Sequence, residues 1–168
     1  MTYKILSVGR QHCAARANPG HHQGFTLLEL LIAMAIVAIL TTIAVPSYTT
    51  HLDNQKITQA KTCLRQIELA IERYFTVHMD YPATLAEVPL GECKQDPWGN
   101  AYRYLKILGK KGKGGNRKDR SENPLNTDYD LYSMGKDGKT NQSLRPKVSH
   151  DDIIRAKSGG YIGLAADY

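Results

Sequence analysis

Phenylalanine occurs twice and tryptophan once in 168 residues, so a domain built from this chain buries little apolar surface with which to order its loops. Catalytic groupings are missing as well. His51, His78 and His150 stand without a motif partner, the three cysteines have no Cys-x-x-Cys spacing, and no glycine-rich nucleotide fingerprint lies between a strand and a helix. These absences point away from an enzyme.

Charge is missing from one long stretch. Phe25 to Val45 is 21 residues in which Glu29 is the one charged side chain, which meets the length needed to cross a bilayer core as a helix. A carboxylate in hydrocarbon is costly or neutralises unless it finds a partner, so Glu29 needs a cation.

The residues before this run are polar and basic, with Lys4, Arg10 and Arg16 and no acid, and they end in Gly24. A secretory signal carries its cleavage site after the apolar region. Cleavage between Gly24 and Phe25 instead leaves the apolar segment on the mature chain. Gly24-Phe25-Thr26-Leu27-Leu28-Glu29, with Pro46 further along, resembles the type IV prepilins and the type II secretion pseudopilins. The resemblance implies that a prepilin peptidase cuts after Gly24 and methylates the new amino terminus at Phe25. It also implies that Glu29 pairs with the terminal amine of a neighbouring subunit in a helical filament. The plainer reading of the same residues is a single-pass anchor with an isolated acid.

On this reading residues 1–24 are a cleaved leader, 25–48 the transmembrane and assembly half of a long helix, and 49–168 one small soluble domain. Net charge is +6, and removing the three leader cations lowers it to +3. The basic leader fits a positive-inside orientation with the domain outside, and the resemblance implies that the membrane is the inner membrane of a Gram-negative cell and the outside its periplasm. His21-His22 near Cys13 carry no fixed geometry for a metal. Cys63 and Cys93 lie on the oxidising side and read as a disulfide closing a loop of about 31 residues, worth roughly 3.7 kcal/mol in the chain-entropy model. Two free thiols are the alternative.

Apolar residues recur at Ala60, Cys63/Leu64, Ile67, Ala70/Ile71, Tyr74 and Val77/His78, with Lys61, Arg65, Glu68 and Glu72 elsewhere on the wheel. That period predicts one helix from Phe25 to about His78, roughly 80 Å long, kinked at Pro46 and stopped by Asp80-Tyr81-Pro82. Thr84-Leu85-Ala86-Glu87 reads as a capping box opening a short helix. Asp96-Pro97-Trp98-Gly99-Asn100 is turn chemistry leading into a strand over 101–107, and a second strand is expected over 127–134. Gly109 to Asn126 lacks the ending of a phosphate-binding loop and reads as a solvated, mobile hairpin loop. Gly159 to Leu164 reads as a closing strand. The fold class expected is α+β, a long N-terminal helix packed on a small antiparallel sheet, pilin-like.

Asp96-Pro97-Trp98-Gly99-Asn100-Ala101-Tyr102, followed by Asp130-Leu131-Tyr132-Ser133-Met134-Gly135-Lys136-Asp137-Gly138, is similar to the major (G-type) pseudopilins of type II secretion. The similarity covers 24–108 and 127–138. It implies a structural subunit of a periplasmic pseudopilus, a homo-oligomer working with minor pseudopilins, the peptidase, an inner-membrane platform protein and its assembly ATPase. A type IV pilus subunit serving adhesion, motility or DNA uptake is the alternative. The resemblance further implies calcium, held by Asp137, Asp152 and the Met134 carbonyl, with Asp151 as a substitute for Asp152. Against that, Asp137-Gly138 is a tight turn and Asp151-Asp152 a helix or strand start. The spacing of Asp137 and Asp152 is longer than the family's. Lys110, Lys111, Lys113, Arg117, Lys118 and Arg120 suggest a phosphate-binding patch for DNA, but no aromatic platform accompanies them, so nucleic acid is not an expected partner.

Overall fold

The computed structural model describes residues 24–112 and 114–168, with backbone only at Pro46. The leader residues Lys4, Arg10, Cys13, Arg16, His21 and His22, and Lys113 of the basic loop, lie outside the described residues. Two compact units part between Ile43 and Ala44.

Helix α1 runs Leu27–His78 and Pro46 lies within it. Thr26 caps its start, the hydroxyl accepting from the Glu29 N–H at 3.1 Å, which satisfies one of the amides a helix leaves free at its first turn. Its end comes two residues before Asp80-Tyr81-Pro82 does any work. Met79 turns to φ 58 and its N–H returns to the Phe75 carbonyl at 2.7 Å, a left-handed stop of the kind that closes many helices. The expected short helix after it is a 3-10 turn at Leu85–Glu87, and Glu87 reaches back to the Thr84 N–H at 3.0 Å.

In the second unit, four antiparallel strands lie side by side in chain order: β1 Arg103–Lys106, β2 Tyr129–Ser133, β3 Ile153–Ala156 and β4 Tyr161–Leu164. The register places Tyr104 opposite Leu131, Tyr132 opposite Ile154, and Ile153 opposite Leu164. Because strand side chains alternate between faces, β3 sends Ile153 into one core and Ile154 and Ala156 into another. The first core joins Ala60, Leu64, Ile67, Ala70 and Ile71 of α1 to Tyr129, Leu131 and Ile153 of the sheet. The stripe ends earlier than its periodicity suggests, since Val77 is 76% exposed. Cys63 and Cys93 are disulfide-bonded with Cα atoms 5.4 Å apart, fastening α1 to the segment before Trp98.

The second core, Leu125, Leu144, Ile154, Ala156 and Ala165, corrects the reading of 109–126 as a solvated, mobile hairpin loop. Asn116, Arg117, Leu125 and Asn126 are all buried, so part of this loop covers the sheet on the side away from the helix core. Polar residues are tolerated there because they are paired. Asp130 on β2 accepts from the Arg117 N–H at 2.7 Å and from the Asn126 amide at 2.8 Å, while burial pushes its carboxyl above the usual range and those bonds offset part of the rise.

Arg155 on β3 is the main polar link between helix and sheet. Its guanidinium donates to Glu68 of α1 at 2.8 Å and to both oxygens of Asp128 at 2.9 and 2.7 Å, and stands 4.0 Å over the Tyr129 ring. Burial disfavours the charge, but the bonds to Asp128 and Glu68 outweigh it and hold the pKa above its ordinary value. Removing one side of a buried ion network strands the other side, at a cost of about 3–5 kcal/mol. Arg155→Met should therefore lower the stability of the second unit by about that amount, read as an earlier loss of near-ultraviolet tyrosine signal on heating the detergent-solubilised chain. A variant that melts with the parent would remove Arg155 from this role.

Candidate functional site

The first candidate is the segment after Gly24. Thr26 and Glu29 stand in the Ser/Thr-x-x-Glu spacing of a helix start, a signal present in the sequence beside the pilin-like motif. An acid in the first turn of α1 is favoured by the helix dipole by roughly 0.3–1 kcal/mol, which explains why this helix accepts Glu29 but not why the acid is embedded in an apolar run. An 18-residue stretch of α1 has mean hydropathy 2.5 with none of it buried, and Phe25, Leu27, Met34 and Ile43 are each more than two-thirds exposed. Glu29 is exposed too. The ion pairs among the described residues all begin at Asp53 or later.

The second candidate is the group of turns at the far end of the sheet. Asp96 organises the first of them, its carboxylate accepting from the N–H groups of Trp98 and Asn100 at 3.1 and 2.8 Å and from the Ser133 hydroxyl at 2.5 Å. Asn100 then donates to the Gly135 carbonyl at 2.9 Å. The two sequence motifs, one around Trp98 and one around Gly135, are thus one hydrogen-bonded unit. Gly135 has φ +65, and a Cβ placed on it would lie 2.2 Å from the Asp151 carbonyl oxygen, so glycine is required by both conformation and space.

Asp137 and Asp151 are brought together, the Asp137 N–H donating to Asp151 Oδ2 at 3.0 Å while Asp137 Oδ1 accepts from Lys139 N–H at 2.8 Å. Asp152 is elsewhere engaged. It is fully buried, and its Oδ2 accepts from Arg117 Nη2 at 2.5 Å and from the Thr140 hydroxyl at 2.6 Å. Burial raises its carboxyl pKa, opposed by the Thr140 bond and by the Arg117 charge. Sequence reasoning assigned Arg117 to a solvated basic patch, and its nearest signal as a buried residue was only its place in a loop that also holds Leu125.

These residues do not fit a calcium ion as arranged. Calcium takes six to eight oxygens, yet the described residues gather no group of three His, Cys, Asp or Glu side chains that could hold a metal. Asp152 Oδ1 is buried without a partner, but one free oxygen is a small part of such a shell. A divalent ion about 4 Å from the Arg117 guanidinium would be repelled by roughly 8 kcal/mol at an effective dielectric of about 20. The DNA reading loses ground for the same reason, because Arg117 is spent inside the protein and Lys110 turns back to the Gly114 carbonyl at 2.6 Å.

Residues 20–45 match the family described as the prokaryotic N-terminal methylation motif. With the long helix and the four-stranded antiparallel sheet, this defines a pilin-like protein. The chain is 32% identical over 136 residues to the type II secretion system core protein G of Pseudomonas aeruginosa, a match spanning 69% of this chain and 84% of that protein. It is 28% identical over 137 residues to the core protein G of Escherichia coli K12, spanning 70% and 83%. It is also 33% identical over 90 residues to the type IV major pilin protein PilA of Myxococcus xanthus, spanning 54% of this chain and 39% of that one. The chain belongs to the family of type II secretion system core protein G. No solved structure matches it significantly.

Gly135→Ala tests the turn unit. A methyl group driven into the Asp151 backbone at a left-handed φ should destabilise the second unit by at least about 2 kcal/mol, measured by thermal unfolding. A change within error would show that the two turns are not held as described.

Proposed function

We propose that this chain is a structural subunit of the periplasmic pseudopilus of a type II secretion system, polymerising through the helix that begins after Gly24. The observation that carries the reading is the apolar helical surface of Phe25 to Val45, exposed throughout its described side chains and interrupted by one carboxylate four residues past Phe25. The pseudopilus is favoured over the type IV pilus because core protein G is matched over 84% of its length and the Myxococcus pilin over 39%. The pilus remains the second reading on the strength of that pilin match, and a secretion operon or a pilus operon around the gene separates the two.

In this account a prepilin peptidase cleaves after Gly24 and methylates Phe25, and the chain then sits in the inner membrane with its domain in the periplasm. Glu29, costly in lipid, is neutralised by the amino terminus of a neighbouring copy. The helix then leaves lipid for a filament core of like helices, where it loses no apolar burial and gains the ion pair. Work comes from an assembly ATPase acting through a platform protein, and minor pseudopilins share the filament. The chain itself is given no catalytic part.

Two variants test the steps separately. Gly24→Ala should leave the leader attached, because the peptidase must admit the backbone at a residue without a side chain, and intact-mass measurement should show the full-length, unmethylated chain. Cleaved protein from this variant would refute the assigned site. Glu29→Leu should insert and be processed normally yet be lost from sheared filaments by tenfold or more, since the neighbour's amine has no partner. Filaments at parental yield would show the ion pair to be dispensable.

A further inference from the structure

The loop between β1 and β2 and the stretch between β2 and β3 meet at one buried ion pair. Arg117 comes from the first and Asp152 from the end of the second, 35 residues apart in sequence, and their side chains are 3% and 0% exposed. The guanidinium is built in on three sides. Nη2 donates to Asp152 Oδ2 at 2.5 Å, Nη1 donates to the Thr140 hydroxyl at 2.7 Å, and the group lies 4.1 Å over the Tyr132 ring. Its own backbone N–H is fixed by Asp130 on β2. Thr140 completes the arrangement by donating its proton to Asp152 Oδ2 at 2.6 Å, so it bridges the cation and the anion.

We propose that Arg117 is the resident cation of this subunit: it supplies at Asp152 the positive charge that the family resemblance assigns to calcium, and the fold of residues 137–152 is therefore independent of calcium. A buried carboxylate must be paired, and here the partner is covalently part of the chain, delivered by the basic loop that lies outside the stretches carrying the family resemblance. The remaining carried-over groups are consistent with this division. Asp137 and Asp151 serve their own turn through the Asp137 N–H and the Lys139 N–H and send no described oxygen to Asp152. The long Asp137-to-Asp152 spacer follows the same logic, because it carries Thr140, which hydrogen-bonds both members of the pair, and Leu144, which enters the second core. An arginine is suited to the task where a lysine would not be, since its planar fork bonds to two oxygens at once and stacks on an aromatic ring.

The test uses the full chain in detergent, first unmodified. Its melting temperature and the rate of proteolytic cutting within 137–152 should be the same in excess calcium as in chelator, and equilibrium dialysis with radioactive calcium should give no saturable binding. A calcium-dependent rise in melting temperature, protection of that loop by calcium alone, or one ion bound per chain would each overturn the proposal. The pair itself is tested by Arg117→Gln, Asp152→Asn and the double variant. Each single change should lower the melting temperature by several degrees, and the double should fall well short of their sum, because the second change removes a charge already stranded by the first. Additive losses would show that Arg117 and Asp152 do not act on each other. If the single variants fail to fold, the measurements on the unmodified chain still decide the question.

Discussion

The constraint on which everything else depends is the surface from Phe25 to Val45 that nothing in the described chain covers. Thirteen large apolar side chains there are each more than half exposed. At about 1.5–3 kcal/mol for burying each one, their removal from water is worth roughly 20–40 kcal/mol, several times the 5–15 kcal/mol that holds a whole domain together. On our reading that free energy is satisfied outside the described residues, first by lipid and then by other copies. On the same reading Glu29 sets the direction of transfer from lipid to filament, since it is the one charged group on the surface and a carboxylate is costly in lipid.

The second unit meets a different difficulty with different means. Its helix core is small, and the sheet needs a cover on its other side as well. The cover is made from loops, which supply few apolar residues, so charge pairs bind what hydrophobic area cannot. Arg155 of β3 ties α1 to Asp128 and to the Tyr129 carbonyl at the start of β2 on one side of the sheet, and Arg117 fixes two long connections to each other on the opposite side. Each guanidinium lies over a tyrosine of β2, Tyr129 or Tyr132, three positions apart on the strand and therefore on its opposite faces. The disulfide adds a covalent tie where α1 meets the segment before Trp98.

How much of this was legible follows from which interactions are local. The helix over Leu27–His78 was readable because its first half is an apolar run of membrane-crossing length and its second half repeats apolar residues at helical period, and Thr84 with Glu87 because capping chemistry acts across three residues. The strands at Arg103–Lys106, Tyr129–Ser133 and Tyr161–Leu164 were readable from their β-formers. Illegible were the arginines. Arg117 sits among lysines and glycines, where a charge is normally solvated, and its partners Thr140 and Asp152 lie 23 and 35 residues away. Val77 misled for the opposite reason, since the stripe that predicts its burial continues past the point where the domain has anything to pack against it. At the N-terminus the motif around Gly24 was plain, whereas the role of Thr26 as helix cap was there to be read in its spacing to Glu29 and was not used.

The central claim is that the segment after Gly24 is an assembly surface whose carboxylate is neutralised by another copy. Electron cryo-microscopy of filaments formed by the processed chain, at a resolution that shows side chains, tests it most directly. The account predicts the helices of Phe25 to Val45 packed together at the filament axis, with the Glu29 carboxylate within about 4 Å of the amino terminus of a neighbouring subunit. Filaments built from contacts between the second units alone, with Glu29 facing solvent or lipid, would contradict it.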